Sequence, residues 1–160
     1  MNWINNGKTS KLVCGSKCNC AITKCSDYVD SSRILKYRRK KKAGVLFEAE
    51  GYILLVQSRG NLWGVPKGSV ELEESPLSGA LRELFEETGI RRVESDICNS
   101  IVLRSNSIVY EIKESRRPPC NFGDDATGIG WVKLECLGNM LEKEHISITR
   151  DLERLIERKR

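Results

Sequence analysis

Apolar and polar positions are not distributed evenly along this chain, and their spacing divides it into elements. Ala43 to Glu48 and Tyr52 to Ser58 are apolar, β-prone runs separated only by Ala49, Glu50 and Gly51, a pattern that predicts a hairpin. Gly60 to Gly68 carries three glycines and Pro66 around one large apolar residue, Trp63, and reads as a loop. From Pro76 to Thr88 the period becomes helical, with Leu77, Ala80, Leu81, Leu84 and Phe85 on one face. Ser75 suits the N-cap, Pro76 the first helical position and Gly89 the left-handed residue that ends the helix. Beyond it, Ile97 to Arg104 and Ser107 to Lys113 predict a second strand pair, and Ile129 to Leu134 a shorter strand. Met140 to Lys159 reads mainly as helix, with Ile148, Leu152, Leu155 and Ile156 as the stripe that docks on the sheet. Strands arranged around a central helix suggest a mixed α/β sandwich.

Residues 1 to 34 show no sustained period and are rich in Asn, Ser, Lys and Cys, so the chain divides at about Leu35: an N-terminal extension, 1–34, and a domain, 35–160. At 160 residues, 39% hydrophobic and 31% charged, the chain has the make-up of one globular domain with an appendage. No stretch approaches the about 18 consecutive apolar residues of a membrane span, and Met1 to Ser10 lacks the apolar core of a signal peptide. The expectation is therefore an intracellular, cytoplasmic protein with no membrane partner.

Charge adds a local feature. The net charge is +5, and Lys36, Arg38, Arg39, Lys40, Lys41 and Lys42 supply six positive charges, so the remainder is close to neutral. Such a run is either a solvated surface or an attractor for polyphosphate or RNA backbone. Of the seven cysteines, Cys14, Cys18, Cys20 and Cys25 lie together in the extension. Three readings stay open for them: four thiolates on one zinc ion, free thiols in a loosely ordered segment, or some disulfide pairing. His145, the one histidine, rules out a histidine-rich metal site and reads as a surface residue.

The chemistry concentrates on the predicted helix. Each helical residue advances by about 100°, so Glu83, Glu86 and Glu87, spaced i, i+3, i+4, project together, away from the Leu77, Leu81 and Leu84 face. Carboxylates so gathered repel one another, and a divalent cation would remove that cost; hard oxygen ligands favour magnesium or manganese over zinc. Taken alone, the spacing is equally that of an exposed acidic face. The surrounding sequence decides between them: Gly68, then Glu74, then Arg82-Glu83-Leu84-Phe85-Glu86-Glu87-Thr88-Gly89-Ile90.

This segment resembles the Nudix box, G-x5-E-x7-R-E-U-x-E-E-x-G-U with U aliphatic, and fills every prescribed position over 23 residues. A looser resemblance covers residues 43 to 158, leaving 1 to 34 outside. The resemblance implies a Nudix-type α/β/α sandwich with a mixed β-sheet, and a Mg2+- or Mn2+-dependent hydrolase that cleaves a diphosphate in a nucleoside-diphosphate-linked substrate. It implies Glu86 and Glu87 as metal ligands, Glu83 as ligand or general base, Arg82 as the group that orients Glu83, and the Lys67 carbonyl as a further ligand. Since some relatives carry the base on a later loop, Glu111, Glu114, Asp124, Asp125 and Glu135 are candidates for base or extra ligand.

Substrate choice rests on features outside the box. Pro66-Lys67-Gly68 at its entrance resembles the passage in dinucleoside-polyphosphate hydrolases and mRNA-decapping enzymes. Lys67 is the candidate contact for an additional phosphate. Trp63 is either core packing or a platform for a base. With the basic run at Lys36 to Lys42, capped RNA and dinucleoside polyphosphates lead, ahead of free nucleotides and inositol pyrophosphates; a catalytically silent nucleotide- or RNA-binding Nudix module is the competing class. Oligomeric state is left undecided by the sequence.

Overall fold

A computed structural model of the chain describes residues 9–13, 18–25, 41–59, 62–121, 126–143 and 147–159. Strands β1 (Thr9–Val13), β2 (Ala21–Cys25), β3 (Lys42–Ala49), β4 (Tyr52–Arg59), β5 (Leu62–Gly64) and β6 (Lys67–Ser69) precede helix α1 (Pro76–Thr88). After it come β7 (Asn99–Val102), β8 (Ile108–Glu114), β9 (Gly128–Lys133), α2 (Leu134–Lys143), β10 (Ser147–Ile148) and α3 (Arg150–Lys159). The main sheet runs β1-β2-β9-β4-β3-β8-β7, with β6 on β3, β5 on β4 and β10 on β5. Parallel β3/β8 pairing beside antiparallel β3/β4 and β4/β9 makes it a mixed sheet.

The hairpin forms where the pattern places it. Ala49 pairs with Tyr52, so Glu50 and Gly51 alone make the turn, and both have positive φ, 55° and 82°, as a right-twisting two-residue turn requires. Helix α1 also has its predicted ends: the Ser75 side chain accepts from the Ser78 N–H at 3.1 Å, and Gly89, at φ 77°, donates its N–H to the Phe85 carbonyl.

Side-chain alternation along the strands separates two apolar layers. Ala43, Val45, Phe47 and Ala49 of β3 join Leu54 and Val56 of β4 beneath Ala80 and Leu84 of α1. Leu46, Ile53, Leu55 and Val132 face the other way, onto Leu137 and Met140 of α2 and Leu152 and Leu155 of α3. A helix thus covers each side of the sheet, the α/β/α sandwich that the resemblance implies.

Four details depart from the sequence reading. The passage read as the loop 60–68 contains β5 and the start of β6, short strands whose glycines and proline mask any period. Met140 to Lys159 is not one helix: α2 begins earlier, at Leu134, and ends at Lys143, and β10 precedes α3. The break has a local cause, since Thr149 donates its N–H to the Trp63 carbonyl at 2.9 Å while its hydroxyl caps α3 by accepting from the Leu152 N–H at 3.1 Å. Phe85 is exposed, with the Arg91 guanidinium 3.9 Å from its ring centre, whereas Thr88 and Glu87 are buried with Leu84, so the buried stripe of α1 is rotated from the predicted one. Within the extension, β2 pairs antiparallel with β9 and β1 with β2, so these residues lengthen the sheet. No helix among the described residues is long and apolar enough to cross a membrane.

Leu84 is fully buried beneath β3, and Leu72 is 95% exposed in the turn before α1. Leu84→Ala is expected to lower unfolding free energy by about 2–5 kcal/mol, and Leu72→Ala to change it by less than about 0.5 kcal/mol, both read by urea denaturation.

Candidate active site

Two backbone strands set the floor of the site. Lys42, Ala43 and Gly44 at the start of β3 pair with Ser69, Gly68 and Lys67 of β6, and flanking bonds from Val45 N–H to the Pro66 carbonyl (3.0 Å) and Val70 N–H to the Lys41 carbonyl (2.9 Å) hold both ends. Strand β6 packs beneath α1, and a side chain at Gly68 would displace the Glu83 carboxylate: a Cβ there would lie 2.1 Å from Glu83 Oε1 and 2.2 Å from its carboxyl carbon. Glycine at the head of the box therefore serves close approach of strand backbone to a carboxylate.

Arg82 organises the acids. Its Nε and Nη2 donate to the two Glu74 oxygens at 2.8 and 3.0 Å, Nη2 also donates to the Ser69 carbonyl at 3.0 Å, and Nη1 reaches Glu86 Oε2 at 2.8 Å and Glu83 Oε1 at 3.1 Å. Glu71 stands 3.6 Å from the same group. The hydrogen bonds that Arg82 donates to Glu74 lead the effects that hold the guanidinium more firmly protonated than usual; burial opposes them, and Glu86 and Glu83 reinforce them. Reciprocally, the Arg82 hydrogen bonds depress the Glu74 carboxyl below its ordinary range, against a smaller opposing effect of burial.

Glu87 takes a different position. It is 2% exposed, and the backbone N–H of Lys67 donates to its Oε1 at 2.9 Å, tying the end of the box helix to β6. Glu83 and Glu87 thus lie against the Lys67-Gly68 backbone, and Arg82 contacts Glu83 and Glu86. Four carboxylates surround one guanidinium and a fifth is buried beside Glu86, so negative charge exceeds positive. A surplus of hard oxygen donors at a place where glycine keeps the backbone bare is a donor set that fits Mg2+ or Mn2+.

The remaining predicted residues lie elsewhere or bond differently. The Lys67 ammonium forms an ion pair with Asp151 of α3, whose other oxygen accepts from Ser105 Oγ at 2.9 Å. Burial acts to raise the Asp151 carboxyl, but Lys67, Ser105 and Ser107 outweigh it and the net direction is down. Trp63 is 1% exposed and packs in the α2/α3 layer; its ring lies so close to Gly128 that a Cβ there would be 2.4 Å away. Of the two readings for this residue, core packing is the one its surroundings match, since an enclosed indole offers no face to a base. Glu111 pairs with Lys159 at 3.2 Å, Glu114 with Arg92 at 2.6 Å, and Glu135 is exposed on α2. Asp124, Asp125, His145 and residues 36–40 of the basic run lie outside the described residues.

Asp151 is the site-adjacent residue that sequence reasoning missed. Its only local signal, an acid in the first turn of a helix, is ordinary helix-terminus chemistry.

Comparison with known proteins decides the family. The NUDIX domain model matches residues 38–152. This chain belongs to the Nudix family. Among relatives, it is 40% identical over 102 residues to a protein of Invertebrate iridescent virus 3 named as hydrolase 111R, a match spanning 61% of this chain and 60% of that one. A shorter match, 49% over 41 residues, links the chain to an m7GpppN-mRNA hydrolase of Caenorhabditis elegans, covering 24% of this chain and 5% of the relative. In fold, the Nudix chain resembles the solved C. elegans Ap4A hydrolase with a TM-score of 0.55 at 19% identity, over 74% of this chain and 94% of the other.

The Glu74–Arg82 fork gives a pH-dependent prediction. A carboxyl whose folded pKa is depressed stabilises the fold above its unfolded pKa of about 4.3, and that contribution disappears as pH falls through the lower folded value. Glu74→Gln is expected to cost about 1–2 kcal/mol at pH 7, with the difference from the parent closing towards pH 3 in urea denaturation.

Proposed function

We propose that this Nudix protein is a divalent-metal-dependent hydrolase of a diphosphate linkage in a nucleoside-diphosphate-linked substrate. The observation that carries the reading is the arrangement of the whole box: Arg82 bridges Glu74, Glu83 and Glu86, and Glu83 lies against the bare backbone of Gly68. An intact set of acids is what a silent binding module has no need to keep in register.

In this reading Glu83, Glu86, Glu87 and the Lys67 carbonyl would hold Mg2+ or Mn2+, which when bound would supply charge neutralisation for phosphoryl oxygens and a more acidic attacking water. Glu83 accepts the proton of that water, whose oxygen forms a bond to one phosphorus while the bridging P–O bond breaks and the other phosphate departs with its electron pair. Arg82 fixes the direction of Glu83 through its 3.1 Å contact. The Lys67 N–H restrains Glu87, and Gly68 leaves the space into which the Glu83 carboxylate projects.

For substrate, we favour 5′-capped RNA. Pro66-Lys67-Gly68 and the basic run at Lys36 to Lys42 support it, together with the local similarity to an m7GpppN-mRNA hydrolase. Dinucleoside polyphosphates are the second reading, on the same Pro-Lys-Gly passage. In either case Lys67 meets an extra phosphate by exchanging its Asp151 partner.

A substrate panel tests both levels: cap-labelled RNA, dinucleoside polyphosphates, nucleotide sugars, oxidised nucleotides and inositol pyrophosphates, each with Mg2+ and with Mn2+. Capped RNA is expected to give the highest kcat/KM, and Glu83→Gln to lower kcat on every active substrate by about 100-fold or more. A Glu86→Gln variant as active as the parent on all of them would remove the metal-site assignment. Gly68→Ala places a methyl group against Glu83 and is expected to lower kcat by about 100-fold, with the far-ultraviolet circular dichroism of the parent.

A further inference from the structure

The cysteines of the extension are brought together with a residue that the sequence leaves far away. Cys18, Cys20 and Cys136 form a cluster in which the three sulfur atoms all lie within 4.8 Å of one another. Cys18 and Cys20 lie just before β2, and Cys136 is in the first turn of α2. Antiparallel pairing of β2 with β9 causes the meeting, because Ala21 is opposite Trp131 and α2 follows directly from the end of β9.

We propose that Cys18, Cys20 and Cys136 bind one zinc ion as three thiolate ligands. Zinc in a tetrahedral thiolate site has Zn–S distances of about 2.3 Å, which places its sulfurs about 3.8 Å apart. The observed cluster has that scale, and Cys18 and Cys136, with sulfurs 3.5 Å apart, are well beyond the about 2.05 Å of a disulfide. Soft sulfur donors select zinc over the magnesium or manganese that suits the box carboxylates. The Lys133 backbone N–H donates to Cys20 Sγ at 3.1 Å, as outer-shell groups orient metal-bound sulfur. Cys20 is 2% exposed, with Cys18 and Cys136 half-buried at the edge of the α2/α3 layer.

This grouping differs from the four-cysteine zinc site that is one of the three readings left open by the sequence. Cys25 pairs with Thr9 at the far end of β2, four strand residues from Ala21 and so about 13 Å away. Cys14 lies outside the described residues and is not part of the assignment. Cys98 and Cys120 belong to other parts of the fold and serve as controls.

The test uses the full chain, reduced, reconstituted with zinc chloride in excess Mg2+, desalted and analysed for metal. About one zinc per chain is expected, with loss of most of it in Cys20→Ser and Cys136→Ser and none in Cys98→Ser or Cys120→Ser. Should the first two variants fail to fold, the parent reconstituted with Co2+ is expected to show a thiolate-to-cobalt charge-transfer band in the near ultraviolet. Folded parent that holds no zinc and gives no such band overturns the proposal, as does full zinc content in folded Cys136→Ser.

Discussion

Arg82 donates to oxygens on four other residues, and the geometry of the candidate site depends on that single guanidinium. Its fork to Glu74 fixes the loop before α1, its bond to the Ser69 carbonyl fixes β6, and its contacts with Glu83 and Glu86 hold two acids whose repulsion would otherwise spread them. Because Glu74, Arg82 and Ser69 belong to three successive pieces of chain, one planar group joins strand, loop and helix. The helix could form without it, as its caps are complete. What Arg82 determines is where the acids point.

Much of this was legible in the sequence, for identifiable reasons. Hairpin β3/β4 and helix α1 have local signals, Glu50-Gly51 and Ser75-Pro76 to Gly89, and local signals need no knowledge of the partner surface. The acids could be placed on one helix from spacing, and the box resemblance pointed to the Lys67 carbonyl and Gly68 as their neighbours. Less legible were features set by distant contacts. Short β5 and β6 exist because β4 and β3 offer backbone to pair with, and β10 because β5 does. Nothing near Trp63 reveals that α2 and α3 will enclose it, and nothing near Lys67 reveals that Asp151 will arrive beside it. Cys136 falls in the same class, brought to Cys18 and Cys20 only by the β2/β9 register.

The two groups of ligand-type residues contrast in chemistry and in origin. Hard carboxylate oxygens come from one helix turn and need no tertiary fold to be neighbours, only to be aimed. Soft sulfurs come from opposite ends of the chain and become neighbours only when the extension has joined the sheet. Were both groups to take up metal, segregation by donor type would keep them from competing for the same ion.

Strand β2 also changes what β9 presents to its surroundings. Paired on one side with β4, β9 would otherwise end the sheet with a row of open amides and carbonyls on the sequence Gly-Ile-Gly-Trp-Val-Lys, apolar and slim enough to accept a strand from any neighbouring molecule. Residues 21–24 occupy that row from within the same chain, leaving as outermost strand among the described residues β1, a segment of only five residues. The extension thus converts an adhesive rim into a guarded one, and this barrier to strand-by-strand self-association is independent of any catalytic chemistry.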